Sequence, residues 1–220
     1  MWIKKYRIFK LKKDTMCFYY GVNKSNKQIE NAFGAKFDQA GFESVTEVNG
    51  FSHPFMPIIV DQRPDIITGA NWGLLPTWAK NTSFQNSTLN ARIETLEEKP
   101  AFKNYITNRC LVIATQFYEW QWIDEKGKSK QKYSVRSEDS EIFCFAGLYS
   151  VWQDPESNYS ILTYTILTTE ANELMAEIHN NKKRMPVVLN NEHHGLWLQG
   201  ENFKDFAYPY QSDLLATPLP

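Results

Sequence analysis

The sequence has few cysteines, no long apolar run and almost no net charge. Its three cysteines, Cys17, Cys110 and Cys144, have no C-x-x-C spacing and no even count, which indicates neither a zinc site nor a disulfide framework. Such cysteine usage is typical of a reducing, cytoplasmic setting. The opening WIKKYRIFKLKK is interrupted by charge every two or three residues, unlike a secretory signal. No run approaches the length of a membrane span.

The charge balance excludes a protein that binds polyanions through its overall field. The chain carries a net charge of −1. The first 15 residues hold six basic side chains and one acidic one, so the rest of the chain is clearly acidic. Any contact with nucleic acid must therefore come from a local basic patch. The candidates for that patch are Arg92, Lys182, Lys183 and Arg184.

The length and composition predict one β-rich domain. The 220 residues are 42% hydrophobic, which is enough for one sizeable core, whereas two separate cores would be small. The 7 Trp, 11 Tyr and 14 Phe suit strands. Successive β-branched and aromatic runs predict strands, and the turn-forming linkers DEKGKSK and QDPESN predict antiparallel hairpins. These runs cover residues 109–115, 117–122, 131–136, 142–152 and 159–169.

Outside these runs the pattern is less regular. Ser25 is placed to cap a short helix with an apolar stripe at Ile29, Phe33 and Phe37. The other predicted features are loops around one short strand near residues 58–60 within 41–70, a strand-like pattern from Trp72, a loop over 81–90, short helices near 170–178 and 191–198, and a strand over 185–189.

These patterns predict an α+β fold. It is a single domain with a curved, mostly antiparallel β-sheet or open-barrel core flanked by a few short helices. We expect a basic leader over residues 1–15, the domain over 16–208 and a loose tail over 209–220.

Eight short motifs occur in a fixed order along the chain. They are MC at 16–17, WGLLPTWA at 72–79, NARIET at 90–95, EKPAF at 98–102, RCLVIATQFYEW at 109–120, FAGLY at 145–149, TILTTEAN at 165–172 and a histidine at 179 followed by RMPVVL at 184–189. Together they resemble the SOS response-associated peptidase family from Met16 to about Trp197. The resemblance implies a sensor of abasic sites in single-stranded DNA that links itself covalently to the lesion.

The resemblance also implies roles for individual residues. Cys17, directly after Met16, corresponds to the nucleophile of the family. Asn90 is expected to orient the reacting amine and sugar, and Arg92 to hold a phosphate. Glu119 and His179 are expected to transfer protons.

The covalent chemistry expected of Cys17 also follows from the ordinary reactivity of an amine and a thiol in one residue. Removal of Met16 would leave a free α-amine beside the thiol, and the ring-opened abasic sugar exposes an aldehyde. With a pKa near 7.8, about a tenth of an α-amine is neutral at pH 7, against about 0.04% of a lysine amine. The amine can form an imine, and the neighbouring thiol can close a five-membered thiazolidine.

The other candidate residues have both a functional and a structural interpretation. Aromatic neighbours would raise the pKa of Glu119 and suit it to acid–base work, or it lies on the outer face of a strand. His179 could protonate the sugar oxygen, or it is a hydrogen-bonded core histidine. Trp72 and Trp78 could form a stacking platform for bases, or they pack in the core.

The sequence departs from the family pattern at two places near these residues. Many members follow the nucleophile with Gly and Arg, whereas Phe18 and Tyr19 follow Cys17 here. The spacer NNKK before RMPV is longer and more basic than the common form, and Lys182 and Lys183 could replace the missing arginine.

Several alternatives remain open from the sequence. The leader is upstream sequence from a wrongly chosen start, a segment that is removed, or a basic arm that stays attached. The protein is a covalent abasic-site sensor, a cysteine peptidase using Cys17 with the leader as its own substrate, or a non-covalent single-strand binding module. We expect a cytoplasmic monomer, associated with the nucleoid when DNA is bound, without metal, cofactor or membrane contact.

Overall fold

The computed structural model describes residues 18–39, 41–157 and 159–220, which form an α+β fold. Within these ranges, no helix is both long and apolar enough to cross a membrane. The strands are β1 Tyr19–Val22, β2 Lys36–Phe37, β3 Val45–Asn49, β4 Phe55–Val60, β5 Ile66–Trp72, β6 Asn90–Arg92, β7 Arg109–Ala114, β8 Gln116–Trp122, β9 Lys130–Ser137, β10 Phe143–Gln153, β11 Ser160–Glu170, β12 Arg184–Pro186, β13 Val188–Leu189 and β14 Leu214–Pro218, and the α-helices are α1 Asn26–Phe33, α2 Glu173–Ile178 and α3 His194–Gln199.

Five strands close into a barrel in the order β5, β4, β7, β10, β11. Neighbours along this path are antiparallel, and a parallel pairing of β11 with β5 closes the ring. Every residue of β7 is buried, as expected for a strand with a partner on both sides. The predicted single domain with a curved, mostly antiparallel core is confirmed.

A second antiparallel sheet, in the order β14, β9, β8, β1, β3, lies against the barrel. Its β1 strand is anchored in the core by Tyr20, whose hydroxyl is 2.6 Å from the hydroxyl of Tyr164 on β11. The Tyr20 ring packs edge-on against Trp72 at a centroid distance of 5.0 Å. This anchor fixes the position of the residues at the start of β1.

The five predicted strands are confirmed with small shifts of their ends, as β7 to β11. The two predicted hairpins are β8–β9 and β10–β11. Ser25 caps α1 through a capping box with Gln28. Gly34 ends that helix in the left-handed conformation, with φ 63°, so Phe37 lies in β2 rather than on the predicted helical stripe.

Three expectations about single segments are corrected. Residues 45–49 form β3, paired with β1, where loops were expected. The strand near Trp72 ends at that residue rather than beginning there. Residues 214–218 pair with β9 as β14, so the end of the chain is part of a sheet and not a loose tail.

Candidate active site

A pocket of about 230 Å³ is lined by both predicted proton-transfer groups, Glu119 and His179. It lies where the start of β1, the strand β8 and the turn after α2 meet. The residues that line it are Phe18, Tyr19, Glu119, Trp120, Trp122, Lys130, His179 and Asn181. The fold therefore brings together residues that are more than 100 positions apart in the sequence.

Glu119 reaches the pocket from β8 and is only 4% exposed. Tyr19 pairs with Tyr118 in the antiparallel register of β1 and β8, and continuing that register by one residue brings Phe18 opposite Glu119. The carbonyl of Phe18 accepts a hydrogen bond from the Gly50 amide at 2.7 Å. Phe18 is thus held at a fixed place beside a buried carboxyl group.

His179 enters from the C-terminal end of α2 and is 3% exposed. Its Nδ1 lies 2.7 Å from the carbonyl oxygen of Arg184. A carbonyl only accepts hydrogen bonds, so Nδ1 carries a proton and, in the neutral ring, Nε2 is the acceptor nitrogen. The ring can therefore accept a proton at Nε2 and return it.

The turn that carries His179 is fastened to β8. The amide of Trp122 donates to the Asn180 side chain at 3.0 Å, and that side chain donates back to the Trp122 carbonyl at 2.9 Å. The amide of Lys183 donates to the His179 carbonyl at 2.7 Å, and Lys183 adopts φ 52°, an uncommon value for a residue with a side chain. These contacts fix His179 relative to Glu119.

Aromatic and basic side chains complete the wall of the pocket. Tyr19 and Trp120 pack edge-to-face with centroids 4.9 Å apart. The Nζ of Lys130 lies 5.5 Å from the ring of Trp122, the residue with which it pairs across the β8–β9 hairpin. Sequence reasoning missed Trp122, Lys130 and Asn181, although counting outward from the hairpin turn would have paired the first two.

Asn90 and Arg92 line a second, larger cavity of about 650 Å³ together with Trp78. They are the first and last residues of β6, and side chains two apart on a strand point to the same side. Arg92 is exposed and Trp78 is 52% exposed. Asn90, by contrast, is only 9% exposed.

The two tryptophans of the WGLLPTW motif have different surroundings. Trp72 is 0% exposed, stacks on Tyr164 at 6.3 Å and donates from its indole nitrogen to the Leu89 carbonyl at 2.7 Å. No face of Trp72 is open to a base, so its predicted stacking role is corrected to core packing. Trp78 packs edge-on against Phe84 and keeps half of its surface exposed.

The three consecutive basic residues Lys182, Lys183 and Arg184 differ in their exposure. Lys182 and Lys183 are exposed. Arg184 is 8% exposed, and its two terminal nitrogens donate to the carboxylate of Glu94 at 2.9 and 2.8 Å. Burial alone would raise the pKa of Glu94, but the hydrogen bonds from Arg184 and Thr169 and the charge of Arg184 bring it below its usual value. A guanidinium held in this way is poorly placed to bind a phosphate, in contrast to the role predicted for Arg184.

The three cysteines and the possibility of a metal site were also considered in the sequence. Cys17 lies outside the described residues. Cys110 and Cys144 are fully buried, and burial raises the pKa of both thiols. Across the described ranges, no three or more His, Cys, Asp or Glu side chains are grouped to hold a metal ion.

Comparison with known proteins identifies the family. The family model described as SOS response associated peptidase (SRAP) matches residues 16–218. The chain belongs to this family. The eight ordered motifs all lie within the matched residues, so the resemblance seen in the sequence is confirmed.

Several SRAP relatives have descriptive names. Abasic site processing protein YoqW from Bacillus subtilis (strain 168) is 40% identical over 168 residues, which is 74% of this chain and 72% of YoqW. Abasic site processing protein HMCES from Gallus gallus is 30% identical over 155 residues, 60% of this chain and 44% of HMCES.

The SRAP fold is also found in solved structures. A crystal structure of a protein from Bacteroides thetaiotaomicron has a TM-score of 0.83 and 30% sequence identity, and covers 93% of this chain and 92% of that chain. A protein from Bordetella bronchiseptica, at 24% identity, has a TM-score of 0.76 and covers 93% of this chain and 100% of that chain. The latter likeness supports the fold alone.

Proposed function

We propose that this SRAP protein captures abasic sites in single-stranded DNA by forming a thiazolidine through Cys17. The observation that carries the proposal is the pocket in which Phe18, Glu119 and His179 meet. Cys17 is bonded directly to Phe18 through the peptide chain. Several relatives in the same family are named abasic site processing proteins, which points to the same lesion here.

The reaction begins with a proton transfer to the sugar. His179 accepts the proton of the C1′ hydroxyl at Nε2 and returns it to the ring oxygen, so that the bond between C1′ and the ring oxygen breaks and the aldehyde is exposed. The α-amine of Cys17 adds to the aldehyde carbon and forms a carbinolamine. That intermediate loses water to give an imine, a step that needs an acid for the departing oxygen and a base for the amine proton. The buried carboxyl group of Glu119 fills these two roles in turn.

The thiol of Cys17 then adds to the imine carbon. The sulfur forms the new bond, and the thiol proton passes to the nitrogen, which closes the five-membered ring. The step involves no oxidant or reductant. Because both nucleophiles belong to one residue, the second addition is intramolecular and strongly favoured.

The second cavity fits the strand that carries the lesion. In this proposal Arg92 binds a phosphate and Asn90 faces the sugar; both residues line this cavity, which supports a shared role along the strand. The exposed ring of Trp78 offers a face on which a base can stack. Lys182 and Lys183, exposed beside the first pocket, add positive charge along the path of the backbone.

The family description also includes the word peptidase. A thiol of Cys17 beside His179 and Glu119 would form a cysteine nucleophile with a nearby base. In that case the bond between Met16 and Cys17 is the first candidate substrate. Such self-processing is compatible with the crosslinking proposal, because it would release the α-amine that the thiazolidine requires.

Intact mass measured under denaturing conditions tests the proposal. A version starting at Cys17 and the full 220-residue chain are each mixed with a single-stranded oligonucleotide that bears one abasic site. We expect a stable one-to-one adduct with the Cys17-initiated form, lost in Cys17→Ala. The full chain forms that adduct only if mass shows that residues 1–16 have been removed.

The alternatives give different results in the same experiment. No adduct with either form contradicts the covalent mechanism. Salt-sensitive DNA binding that is unchanged in Cys17→Ala then indicates a non-covalent binding module. Loss of residues 1–16 in the wild type but not in Cys17→Ala supports the peptidase activity.

A further inference from the structure

One positively charged side chain lies on the wall of the pocket that Glu119 and His179 line. Lys130 is the first residue of β9 and lines this pocket. Its Nζ lies 5.5 Å from the centroid of the Trp122 ring, and Trp122 is itself a lining residue. Among the lining residues within the described ranges, Lys130 is the only lysine or arginine. Lys130 therefore supplies the positive charge of this wall.

The Lys130 ammonium is accessible and has no carboxylate partner in the described part of the chain. Lys130 is exposed, and no carboxylate within residues 18–39, 41–157 and 159–220 forms an ion pair with it. Lys132, two residues later on the same strand, differs in this respect, because its Nζ lies 2.5 Å from a carboxylate oxygen of Glu47. A contact with an aromatic ring attracts an ammonium without neutralising its charge. The Lys130 ammonium can therefore still bind an anion from outside the protein.

The backbone that carries Lys130 has a fixed position beside the pocket. Lys130 pairs with Trp122 across the β8–β9 hairpin. The carboxylate of Asp124 accepts hydrogen bonds from three amides of the linker between these two strands. Trp122 also exchanges two hydrogen bonds with Asn180, which follows His179 in the chain. Lys130 therefore extends from a closed hairpin that is attached to the turn of His179.

The DNA strand that carries the lesion supplies a matching anion. An abasic sugar within a strand is joined to one phosphate through its C3′ oxygen and to another through its C5′ oxygen, and both phosphates are negatively charged. A sugar that enters the pocket brings these phosphates to its wall. An ionised Glu119 carboxylate would repel them, and a lysine on the same wall offsets that repulsion by attracting a phosphate.

We propose that Lys130 binds one of the two phosphates that flank the abasic sugar while the sugar occupies the pocket of Glu119 and His179. This inference rests on the proposed function and adds a binding residue to that site. It also fits a departure of this sequence from the family pattern, since many members have an arginine two residues after the nucleophile and residue 19 is a tyrosine here. Tyr19 and Lys130 line the same pocket, so β9 provides a positive charge that β1 lacks.

The test compares three single-stranded oligonucleotides that each carry one abasic site. One has natural phosphates, and in the others an uncharged methylphosphonate replaces the phosphate on the 5′ or the 3′ side of the abasic sugar. Crosslinking rates are measured against DNA concentration for the wild type, Lys130→Ala, Lys130→Arg and Lys128→Ala, each in the form that reacts with the natural strand. Lys128 is exposed in the linker of the same hairpin and is not a lining residue of the pocket. Lys128→Ala is the matched control, because it removes the same charge close by.

We expect Lys130→Ala to need about two- to fivefold more of the natural strand for half of its maximal rate, the effect of one exposed ion contact, with a smaller change in the maximal rate itself. On one of the two methylphosphonate strands, Lys130→Ala and the wild type react alike, because the charge that Lys130 binds is missing. The slope of log affinity against log salt falls by about 0.7 in Lys130→Ala, as for one lost phosphate contact on a single strand. Lys130→Arg keeps the charge and stays close to the wild type, and Lys128→Ala matches the wild type on every strand.

Three results overturn the inference while leaving the proposed function intact. One is a Lys130→Ala variant that matches Lys128→Ala on the natural strand. Another is a loss that persists on both methylphosphonate strands, which would show that Lys130 contacts neither phosphate. The third is a Lys130→Arg variant as weak as Lys130→Ala, which would show that the lysine amine is needed for more than its charge. Failure of the wild type to crosslink the natural strand would instead contradict the proposed function itself.

Discussion

The ion pair between Arg184 and Glu94 is the interaction whose loss we expect to be most clearly measurable. The carboxylate of Glu94 accepts hydrogen bonds from both terminal nitrogens of Arg184. The Arg184 side chain is 9% exposed and that of Glu94 is 34% exposed. Replacement Glu94→Ala therefore leaves a buried guanidinium whose charge is no longer compensated.

The expected loss in the free energy of unfolding follows from the burial of the Arg184 side chain. Breaking a buried pair by removing one partner costs about 3–5 kcal/mol, and the partial exposure of Glu94 reduces this to about 2–3 kcal/mol. In a chain of 220 residues, each kcal/mol corresponds to about 2–4 °C in Tm. We expect Tm to fall by about 5–10 °C in calorimetry or in a thermal scan followed by circular dichroism.

A surface ion pair provides the matched control. Glu97 pairs with Lys204 at 2.9 Å, and both side chains are 59% exposed. Exposed pairs contribute at most about 1 kcal/mol, so Glu97→Ala is expected to shift Tm by no more than about 4 °C. If Glu94→Ala melts at the same temperature as Glu97→Ala, the buried pair does not stabilise the fold as argued.

Four further predictions concern pH, the site and the core. The pKa of Glu94 is lowered in the fold, so its ionised carboxylate adds to the free energy of unfolding at neutral pH, and this contribution is lost as pH falls below the usual value of 4.5. In thermal unfolding measured over acidic pH, the wild type should therefore lose more stability than Glu94→Gln. Asn180→Ala removes both hydrogen bonds to Trp122, and we expect faster hydrogen exchange in residues 179–183 and slower crosslinking with little change in Tm. Trp78→Ala should weaken single-strand binding by about 1–3 kcal/mol in a fluorescence titration without lowering Tm, and a large loss of stability would contradict its surface role. Gly147→Ala would place a methyl group 2.8 Å from a buried sulfur, and overpacking of this kind should cost about 1–3 kcal/mol in denaturant unfolding.

Local patterns in the sequence were sufficient for the central strands. The five runs between residues 109 and 169 are rich in β-branched and aromatic residues and are bounded by turn formers, and they form β7 to β11. Period-two alternation and turn chemistry depend on neighbours in the chain, so they can be read without the fold. The short strands β3 and β14 were missed because each depends on a distant partner, β1 and β9 respectively.

The candidate site shows the same division. The sequence identified Glu119 and His179 through their motifs, but it gave no sign that Asn181 and Lys130 line the same pocket. It also treated Asn90 as part of one group with them, and that grouping stays a prediction; Asn90 lines the second cavity. Which side chains share a pocket depends on strand pairing and on the packing of turns.

Two pairs of identical residue types show what the tertiary structure decided. Trp72 and Trp78 belong to one motif, and Arg92 and Arg184 were both candidates for phosphate binding. The sequence determined the residue types, the family and the strands that form locally. Only the closure of the barrel between β5 and β11 buried Trp72, and only the approach of β12 to Glu94 paired Arg184. The physical reason is that burial and charge pairing depend on non-local contacts, which the order of residues along the chain does not specify by itself.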